Sequence, residues 1–474
     1  MINLIQKHSK WVQGFQPHFC VLVCVALIIF YPSKIHANDQ TNTLLWDVQR
    51  ERVTADIDGW DVKELLEHVS VATGWNIFVD PEGITPISVK FKDYAVGEAL
   101  HAMLGKLNFV VVPQTNAPSR LYVFRTSVQQ ATREVAQGRK MAKPVPNELV
   151  VTLKPDSKTS IDELAKLYGA KVIGKIRGQN AYLLQFNDAS ATQAARQLLA
   201  DNPDIGVVDS NYPLESPPLA VALEGGAASL QLKPRAPDSN QHLVVGLIDT
   251  TVQSLGANLD AFIKPQLEAA SQQTTSTANQ LNHGTAMAET ILNAVQKQTG
   301  GSTAVSILPV DVYGGAETTT TFDVANGIKM AIDNGATSIN LSLGGTGDSQ
   351  VLHDVIIQAS KQGIPIFAAA GNSPVTTPTY PAAYPEVTAV TATDSSGNIA
   401  SYANRGSFVS MTAPGENFVS FNGLVYDVQG TSTSTAFVSG MAAGLADASH
   451  ASSDQESALL KKTVPQSSLL KSLH

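Results

Sequence analysis

The sequence contains almost no cysteine. Only two of its 474 residues are cysteines, Cys20 and Cys24, and both lie within the first thirty positions. If this N-terminal segment is removed during export, the mature chain can hold no disulfide, no thiolate metal ligand and no cysteine nucleophile. Covalent catalysis would then need an oxygen or a nitrogen nucleophile.

Charged residues are also scarce, and their balance is acidic. They make up 15% of the sequence, against about 25% in an average soluble domain, whereas hydrophobic residues reach 43%. This composition excludes a charge-rich disordered protein and supplies apolar material for more than one core. The net charge of −9 argues against phosphate neutralisation by Lys and Arg, so nucleic acid is not an expected partner.

The sequence lacks the run of about 20 apolar residues that spans a bilayer. Its longest apolar run, residues 19–30, follows lysines without any acidic residue and is followed by the small Ala37. This pattern predicts a secretory signal over residues 1–37, so the protein should be exported, to the periplasm or outside the cell. An uncleaved anchor is the minority alternative. A lipoprotein is less favoured still, because Val23 before Cys24 is too large for the usual lipid-attachment site.

Length and pattern together predict three domains after the signal. At roughly 150 residues per domain, the chain is too long for a single core. The predicted segments are the signal at 1–37, an α+β domain at 38–126, a polar linker at 127–146, a second α+β domain at 147–212, an exposed processing linker at 213–240, an α/β domain at 241–450 and a tail at 451–474. The first domain has the predicted order β-α-β-β-α-β-β.

From His242 onward, continuous apolar strands alternate with amphipathic helices. This alternation predicts a three-layer α/β fold in which a parallel sheet is covered on both faces. Reactive groups are then expected at the carboxyl ends of the strands.

Polar residues stand where that rule places reactive groups. Asp249 follows the strand LVVGLI, His283 opens a helix in NHGTAMA, and Ser432 lies at the start of the last helix in GTS. A serine hydroxyl needs an imidazole to take its proton, and the imidazole needs a buried carboxylate to fix its tautomer. The helix N-terminus favours an oxyanion near Ser432. Asn372, after AAAG, is placed to donate an amide to the same anion.

Each of these motifs is weak alone, because an Asp after a strand or a His at a helix start is more often structural. The four positions together favour catalysis. Three other histidines, His68, His101 and His353, lie in helical stretches without a second ligand, so core or surface roles are favoured over metal binding. The string Gly347-Asp348-Ser349 is interpreted as a helix N-cap.

The order Asp, His, Ser is that of subtilisin, and residues 242–446 resemble a subtilisin-family serine peptidase domain. The resemblance is carried, in order, by VVGLIDT, NHGTAMA, INLSLGG, AAAGN, YPAAYPEV and GTSTSTAFVSG. It implies Asp249, His283 and Ser432 as the catalytic triad and Asn372 as the oxyanion-hole donor. It also implies two edges along which substrate backbone lies, made by Ser342, Leu343 and Gly344 and by Ala369, Ala370 and Gly371. Glu289 departs from the family, which usually has a small residue there.

Both small domains resemble known modules. Residues 147–212 resemble the inhibitory prodomain of many subtilases, from NELVVTLKP to NPDIGVVDSNYPLES. This resemblance implies a tail in the active-site cleft and self-cleavage within 209–240. Residues 53–125, with TGWNIFVDP and LNFVVVP, resemble the short N-terminal domain of secretins and TonB-dependent receptors. That resemblance implies docking to an envelope protein partner; a spacer without a partner is the alternative.

These features predict a serine endopeptidase made as an autoprocessed zymogen, which acts on protein or peptide substrates through an acyl-enzyme. The competing hypothesis is an envelope docking or signalling protein whose peptidase acts only on itself or is inactive. The chemistry requires no cofactor, and no metal ligands are predicted. The family often binds structural calcium, and since the sequence has no calcium-loop spacing, the question of a calcium site stays open.

Overall fold

The computed structural model describes residues 43–463, apart from 48–49, 81–86, 115–117, 132, 136–141, 216–220, 224–229, 239–241, 257 and 273–279. The predicted signal at 1–37, with both cysteines, lies outside the described residues. Within the described part, no helix is both long and apolar enough to cross a membrane.

Residues 43–135 form a unit that we call the N-terminal module. Its elements are β1 (Thr43–Asp47), β2 (Arg52–Trp60), α1 (Val62–Thr73), β3 (Asn76–Val79), β4 (Ile87–Ala95), α2 (Val96–Leu104), β5 (Asn108–Val112), β6 (Arg120–Phe124) and β7 (Arg133–Val135). They form two sheets, with orders β1-β2-β4 and β5-β6-β3-β7. Asp61 caps α1 by accepting from Glu64 N, and Gly74 ends it in the left-handed conformation.

The N-terminal module is longer than the sequence pattern predicts. Strand β7 lies in the segment predicted as a linker, yet it pairs antiparallel with β3. Val135 in this strand is buried in the module's core. The module therefore extends to residue 135, because one apolar side chain there completes the sheet.

Residues 142–215 form the middle domain. Its own sheet and helices are β8 (Glu148–Leu153), α3 (Ile161–Leu167), β9 (Lys171–Ile176), β10 (Ala181–Gln185), α4 (Ala189–Ala200) and β11 (Ile205–Asp209). The sheet is antiparallel, with order β11-β8-β10-β9. The sequence pattern does not predict β9, because Lys171, Gly174 and Lys175 interrupt its apolar residues.

The remaining elements surround the large sheet of the C-terminal domain, residues 242–463, which we call the catalytic domain because it contains the predicted triad. They are β12 (Pro213–Glu215), β13 (Val221–Leu223), β14 (Lys233–Pro234), β15 (Val244–Asp249), β16 (Leu267–Glu268), α5 (His283–Thr299), β17 (Ser302–Thr303), β18 (Ser306–Asp311), β19 (Thr318–Thr320), α6 (Thr321–Asp333), β20 (Ser338–Leu341), α7 (Gln350–Lys361), β21 (Ile366–Ala369), β22 (Val387–Thr393), β23 (Met411–Pro414), β24 (Glu416–Phe421), β25 (Leu424–Gln429), α8 (Thr431–Ala448) and α9 (Glu456–Thr463).

Seven parallel strands form the main sheet, in the order β16-β18-β15-β20-β21-β22-β23. Helices cover both faces, as predicted. Along β15, Val244 and Ile248 pack into the core on the side of α6 and α7, whereas Val245 and Leu247 pack on the side of α5 and α8. The strand reads as a continuous apolar run because both of its faces are buried.

Most described residues of the predicted linker at 213–240 are exposed, yet the segment forms short strands against the catalytic domain. Strand β12 pairs with β19, β13 with β25 and β14 with β17. Three leucines in the segment, Leu214, Leu230 and Leu232, are buried, so burial of apolar surface holds this segment on the catalytic domain.

The C-terminal boundary also differs from the prediction. Residues beyond 450 form α9, whose Leu460 is buried in a cluster with Phe367 and Val438. The described part of the predicted tail therefore belongs to the catalytic domain.

Candidate active site

Asp249 and His283 form a buried hydrogen-bonded pair at the carboxyl end of β15. The His283 Nδ1 atom lies 2.8 Å from Asp249 Oδ1 and 3.0 Å from Oδ2. The carboxylate holds the ring in the tautomer with its proton on Nδ1, which leaves Nε2 as the basic nitrogen. Gly284 lets the start of α5 pack against the residue after Asp249, because a Cβ at position 284 would lie 2.2 Å from the Thr250 carbonyl oxygen.

Ser432 is the second residue of α8 and is buried. Its hydroxyl donates to the Ser342 carbonyl oxygen at 3.0 Å, and the Ser342 hydroxyl donates to the Ser432 carbonyl oxygen at 3.1 Å. Among the described residues, no hydrogen bond joins Ser432 to His283. The proposed nucleophile is thus hydrogen-bonded to a residue of one predicted substrate edge. Hydrogen bonds between catalytic residues often form fully only when substrate binds.

A buried polar chain fixes Ser342. Asn340 Nδ2 donates to Ser342 Oγ, and Ser439 Oγ donates to Asn340 Oδ1, each at 2.9 Å. All three side chains are fully buried. Sequence reasoning missed Asn340 and Ser439. The signal for Asn340 was a polar residue inside the apolar strand β20, and polar groups are buried there only when they find partners.

Asn372 lies beside the residues that precede the serine. Its Oδ1 accepts from Thr431 N at 2.9 Å and from Thr431 Oγ1 at 3.0 Å. Its Nδ2 is turned toward Gly430, where an added Cβ would approach within 3.1 Å. With its oxygen engaged, the side chain presents its amide as a donor near the start of α8.

The two predicted substrate edges are neighbours. Ser342 to Gly344 continue from β20, and Ala369 to Gly371 end or follow β21; the two strands pair in parallel. A Cβ on Gly344 would lie 3.7 Å from the Ala369 carbonyl oxygen. The structure therefore brings the two edges together beside Ser432, which is bonded to the first of them.

The chain leaving the middle domain runs along this site. Strand β12 pairs antiparallel with β19, and Leu214 in it is fully buried. The Leu214 side chain packs so close to Gly345 that a Cβ there would lie 2.7 Å away. Farther along, β13 pairs with β25, the strand that leads into α8. Strand β12 thus lies beside Gly345, next to the predicted substrate edge, and β13 lies beside the strand that precedes Ser432.

The middle domain also supplies acceptors to two helix starts of the catalytic domain. Asp209 Oδ2 accepts from Val351 N at 3.1 Å, and Asn211 Oδ1 accepts from Phe322 N at 3.1 Å. In both helices this amide belongs to the second residue. Such amides have no partner inside the helix, so the middle domain satisfies donors that the catalytic domain leaves open.

Two buried carboxyl groups meet at the same contact. Asn211 Nδ2 donates to Glu148 Oε2 of the middle domain at 2.8 Å, and burial raises the pKa of Glu148. In the first turn of α6, burial raises the pKa of Asp323 to about 6, and the nearby charge of Glu148 adds to this effect. The contact therefore favours protonated acids.

Glu289, the residue at which α5 departs from the subtilisin-family pattern, is buried. Its Oε1 accepts from Ser420 N at 2.9 Å and so ties α5 to β24. Burial raises its pKa to about 7. Among the described residues, no three His, Cys, Asp or Glu side chains form a group that could hold a metal ion.

The catalytic domain matches a model of the subtilase family over residues 240–473. Thermitase from Thermoactinomyces vulgaris is 34% identical over 220 residues, which cover 45% of this chain and 78% of thermitase. This chain belongs to the subtilase family. Subtilisin amylosacchariticus from Bacillus subtilis subsp. amylosacchariticus is 31% identical over 57% of this chain and 72% of that protein. Subtilisin Savinase from Lederbergia lenta is 36% identical, over 35% of this chain and 64% of its own length.

The preceding region matches a model of the fervidolysin N-terminal prodomain over residues 130–211. The crystal structure of fervidolysin from Fervidobacterium pennivorans, a keratinolytic enzyme related to subtilisin, has a TM-score of 0.50 and 19% identity to this chain. The match covers 64% of this chain and 55% of fervidolysin, and it shows the shared fold. The prediction of a subtilase serine endopeptidase preceded by a prodomain is thereby confirmed.

Proposed function

We propose that this subtilase is an exported zymogen that cuts itself and then protein or peptide substrates, with Asp249, His283 and Ser432 as its catalytic triad. The observation that carries the proposal is the buried hydrogen bond of 2.8 Å between His283 Nδ1 and Asp249 Oδ1. His283 begins α5, and this helix packs along α8. At one point the helices approach so closely that a Cβ on Gly440 would lie 2.3 Å from the Ile291 carbonyl oxygen.

The proposed mechanism uses only groups of this chain. Ser432 Oγ attacks the scissile carbonyl carbon while His283 Nε2 takes the hydroxyl proton, and Asp249 stabilises the imidazolium. Asn372 Nδ2 and the Ser432 backbone amide donate to the oxyanion. The intermediate collapses, His283 returns the proton to the leaving amine, and water then hydrolyses the acyl-enzyme by the same steps.

The two short strands flanking the site narrow the proposed self-cleavage. Strand β12 ends at Glu215 and pairs with β19, and β13 begins at Val221 and pairs with β25, the strand that leads into α8. We therefore place the scissile bond among the six peptide bonds that join Glu215 to Val221, within the wider window of 209–240.

Expression of wild type beside Ser432→Ala, followed by intact-mass measurement, tests the proposal. Wild type should give two fragments whose junction lies between residues 215 and 221, and a fluorophosphonate probe should label Ser432. The Ser432→Ala chain should stay uncut and unlabelled. Equal processing of both chains, or a junction outside this window, would contradict the proposal.

For the N-terminal module, we propose docking to an envelope protein through residues 53–125. The order of its strands and helices supports this, since β2 to β6 with α1 and α2 follow the predicted pattern. Full-length Ser432→Ala should be found outside the cytoplasm and should retain an envelope protein in a pull-down. Tyr94→Ala, which removes an exposed side chain of this segment, should retain less of that protein.

A further inference from the structure

The N-terminal module has a second apolar face, on the side of its sheet opposite its core. In β3, Ile77 and Val79 pack into the module core, whereas Phe78 between them belongs to a separate cluster. Tyr122 and Phe124 of β6 pack against this cluster, and the Phe78 and Tyr122 rings stack with centroids 5.1 Å apart. Phe78 is nevertheless only 2% exposed, so something covers this outer face.

Ala131, which follows β6, and Val375 of the catalytic domain together cover this outer face. Val375 packs into the Phe78 cluster and is 4% exposed. Beside it, Arg405 Nη1 donates to the Gln129 carbonyl oxygen of the module at 2.9 Å. The contact is thus a small apolar patch with one hydrogen bond to the main chain.

The patch is attached to the loop that follows Asn372. Arg405 N donates to the Val375 carbonyl oxygen at 2.9 Å, and Asn404 Oδ1 accepts from Ser373 N at 2.8 Å. Val375 and Arg405 are therefore linked to each other where they contact the module. This surface differs from the one that holds the middle domain, which uses β19 and the starts of α6 and α7.

We propose that residues 43–215, once cut from the catalytic domain, remain on it as a two-point inhibitor. The middle domain and β12 bind beside the active site, and the module binds around Val375 through its Phe78 face. The inference rests on the proposed function, because a second contact delays release only after the chain is cut. The module and the middle domain are joined through residues 136–141, and with so short a connection, each contact keeps the other at an effective concentration in the millimolar range.

The test follows the delay between cutting and activity in the full-length protein. Cutting is measured by intact mass, and activity by hydrolysis of a small chromogenic peptide after dilution. In Phe78→Ala, cutting should keep its rate, activity should emerge about tenfold sooner, and the final activity should equal that of wild type. Val110→Ala is the matched control, since Val110 lies in the same sheet but is 42% exposed; its delay should equal that of wild type.

A double-mutant cycle guards against a general loss of module stability. Val375→Ala, made on the catalytic side, should shorten the delay, and its combination with Phe78→Ala should shorten it no further, because both changes remove one contact. Additive effects, or an unchanged delay in Phe78→Ala with normal cutting, would overturn the two-point inhibitor alone. A wild-type chain that is never cut would overturn the proposed function and the inhibitor with it.

Discussion

The middle domain and the N-terminal module contact the catalytic domain through surfaces of different size and polarity. The middle domain combines an extended apolar contact, in which Val150, Ile176 and Leu183 share a buried cluster with Phe322, with directional polar contacts in which Asp209 and Asn211 accept from helix amides. The module uses a small apolar contact, centred on Phe78 and Val375. Hydrogen bonds to helix starts have a fixed geometry, whereas apolar burial is non-directional. The middle domain can therefore set where the tail lies in the cleft, while the module adds only to the strength of attachment.

The largest expected effect is on the rate of self-cleavage, in a variant that leaves both attachments to the catalytic domain intact. Asp249→Asn should lower the rate of self-cleavage about 10,000-fold, because the amide no longer holds His283 in the required tautomer. Neither attachment involves Asp249, so the uncut chain should keep both of them. Gel-based processing rates measure the first effect, and hydrogen exchange at residues 373–379 and at α6 measures the second. Loss of protection at either surface would show that the site and the attachments are coupled.

The next effect concerns the polar attachment alone. Replacing both Asp209 and Asn211 by Ala removes the acceptors of two helix amides, at about 1 kcal/mol each. The fragment 43–215 should then inhibit the cut enzyme about 30-fold more weakly. Inhibition of peptide hydrolysis measures this. Asp162→Ala, at an exposed helix start within the middle domain, is the control and should not change inhibition.

Combining the two attachments tests whether they are independent. Asp209→Ala with Phe78→Ala should weaken inhibition by the product of the two single effects, since the sites share no partner. The inhibition constants of the three variants give the answer. A combined effect well below the product would mean that one attachment forms only when the other is already in place.

The smallest expected effect is a dependence on pH. Burial raises the pKa of Asp323 to about 6, and the nearby charge of Glu148 in the middle domain adds to this rise, so attachment of the middle domain favours the protonated form. The attachment should be strongest below about pH 4, the usual range for a free Asp. It should weaken by a few fold as pH rises from about 4 to 6, and change little above that. Asp323→Asn should flatten this profile, which inhibition assays from pH 4 to 8 would measure.

Sequence pattern predicted the catalytic domain well, because its signals are local. The alternation of strands and helices located the main sheet, and short strings located Asp249, His283 and Ser432 at its carboxyl edge. The resting hydrogen bond of Ser432 to Ser342 could not be predicted, since it joins residues 90 positions apart. The same holds for Val375 on Phe78. The only local hint there was that β3 is apolar on both faces, which shows burial but not the identity of the covering residue.

The first amides of α6 and α7 are capped partly by the catalytic domain and partly by the middle domain. In each helix the third amide is capped from within the catalytic domain, by Thr320 or Ser349, and the second amide by the middle domain. Departure of the middle domain then exchanges one acceptor per helix for water, a loss of order 1 kcal/mol. The folded sheet tolerates that loss. A chain that is still folding must bring distant parallel strands together, so the same loss of stability would slow its folding. The same two contacts would thus serve as a scaffold during folding and become dispensable afterwards.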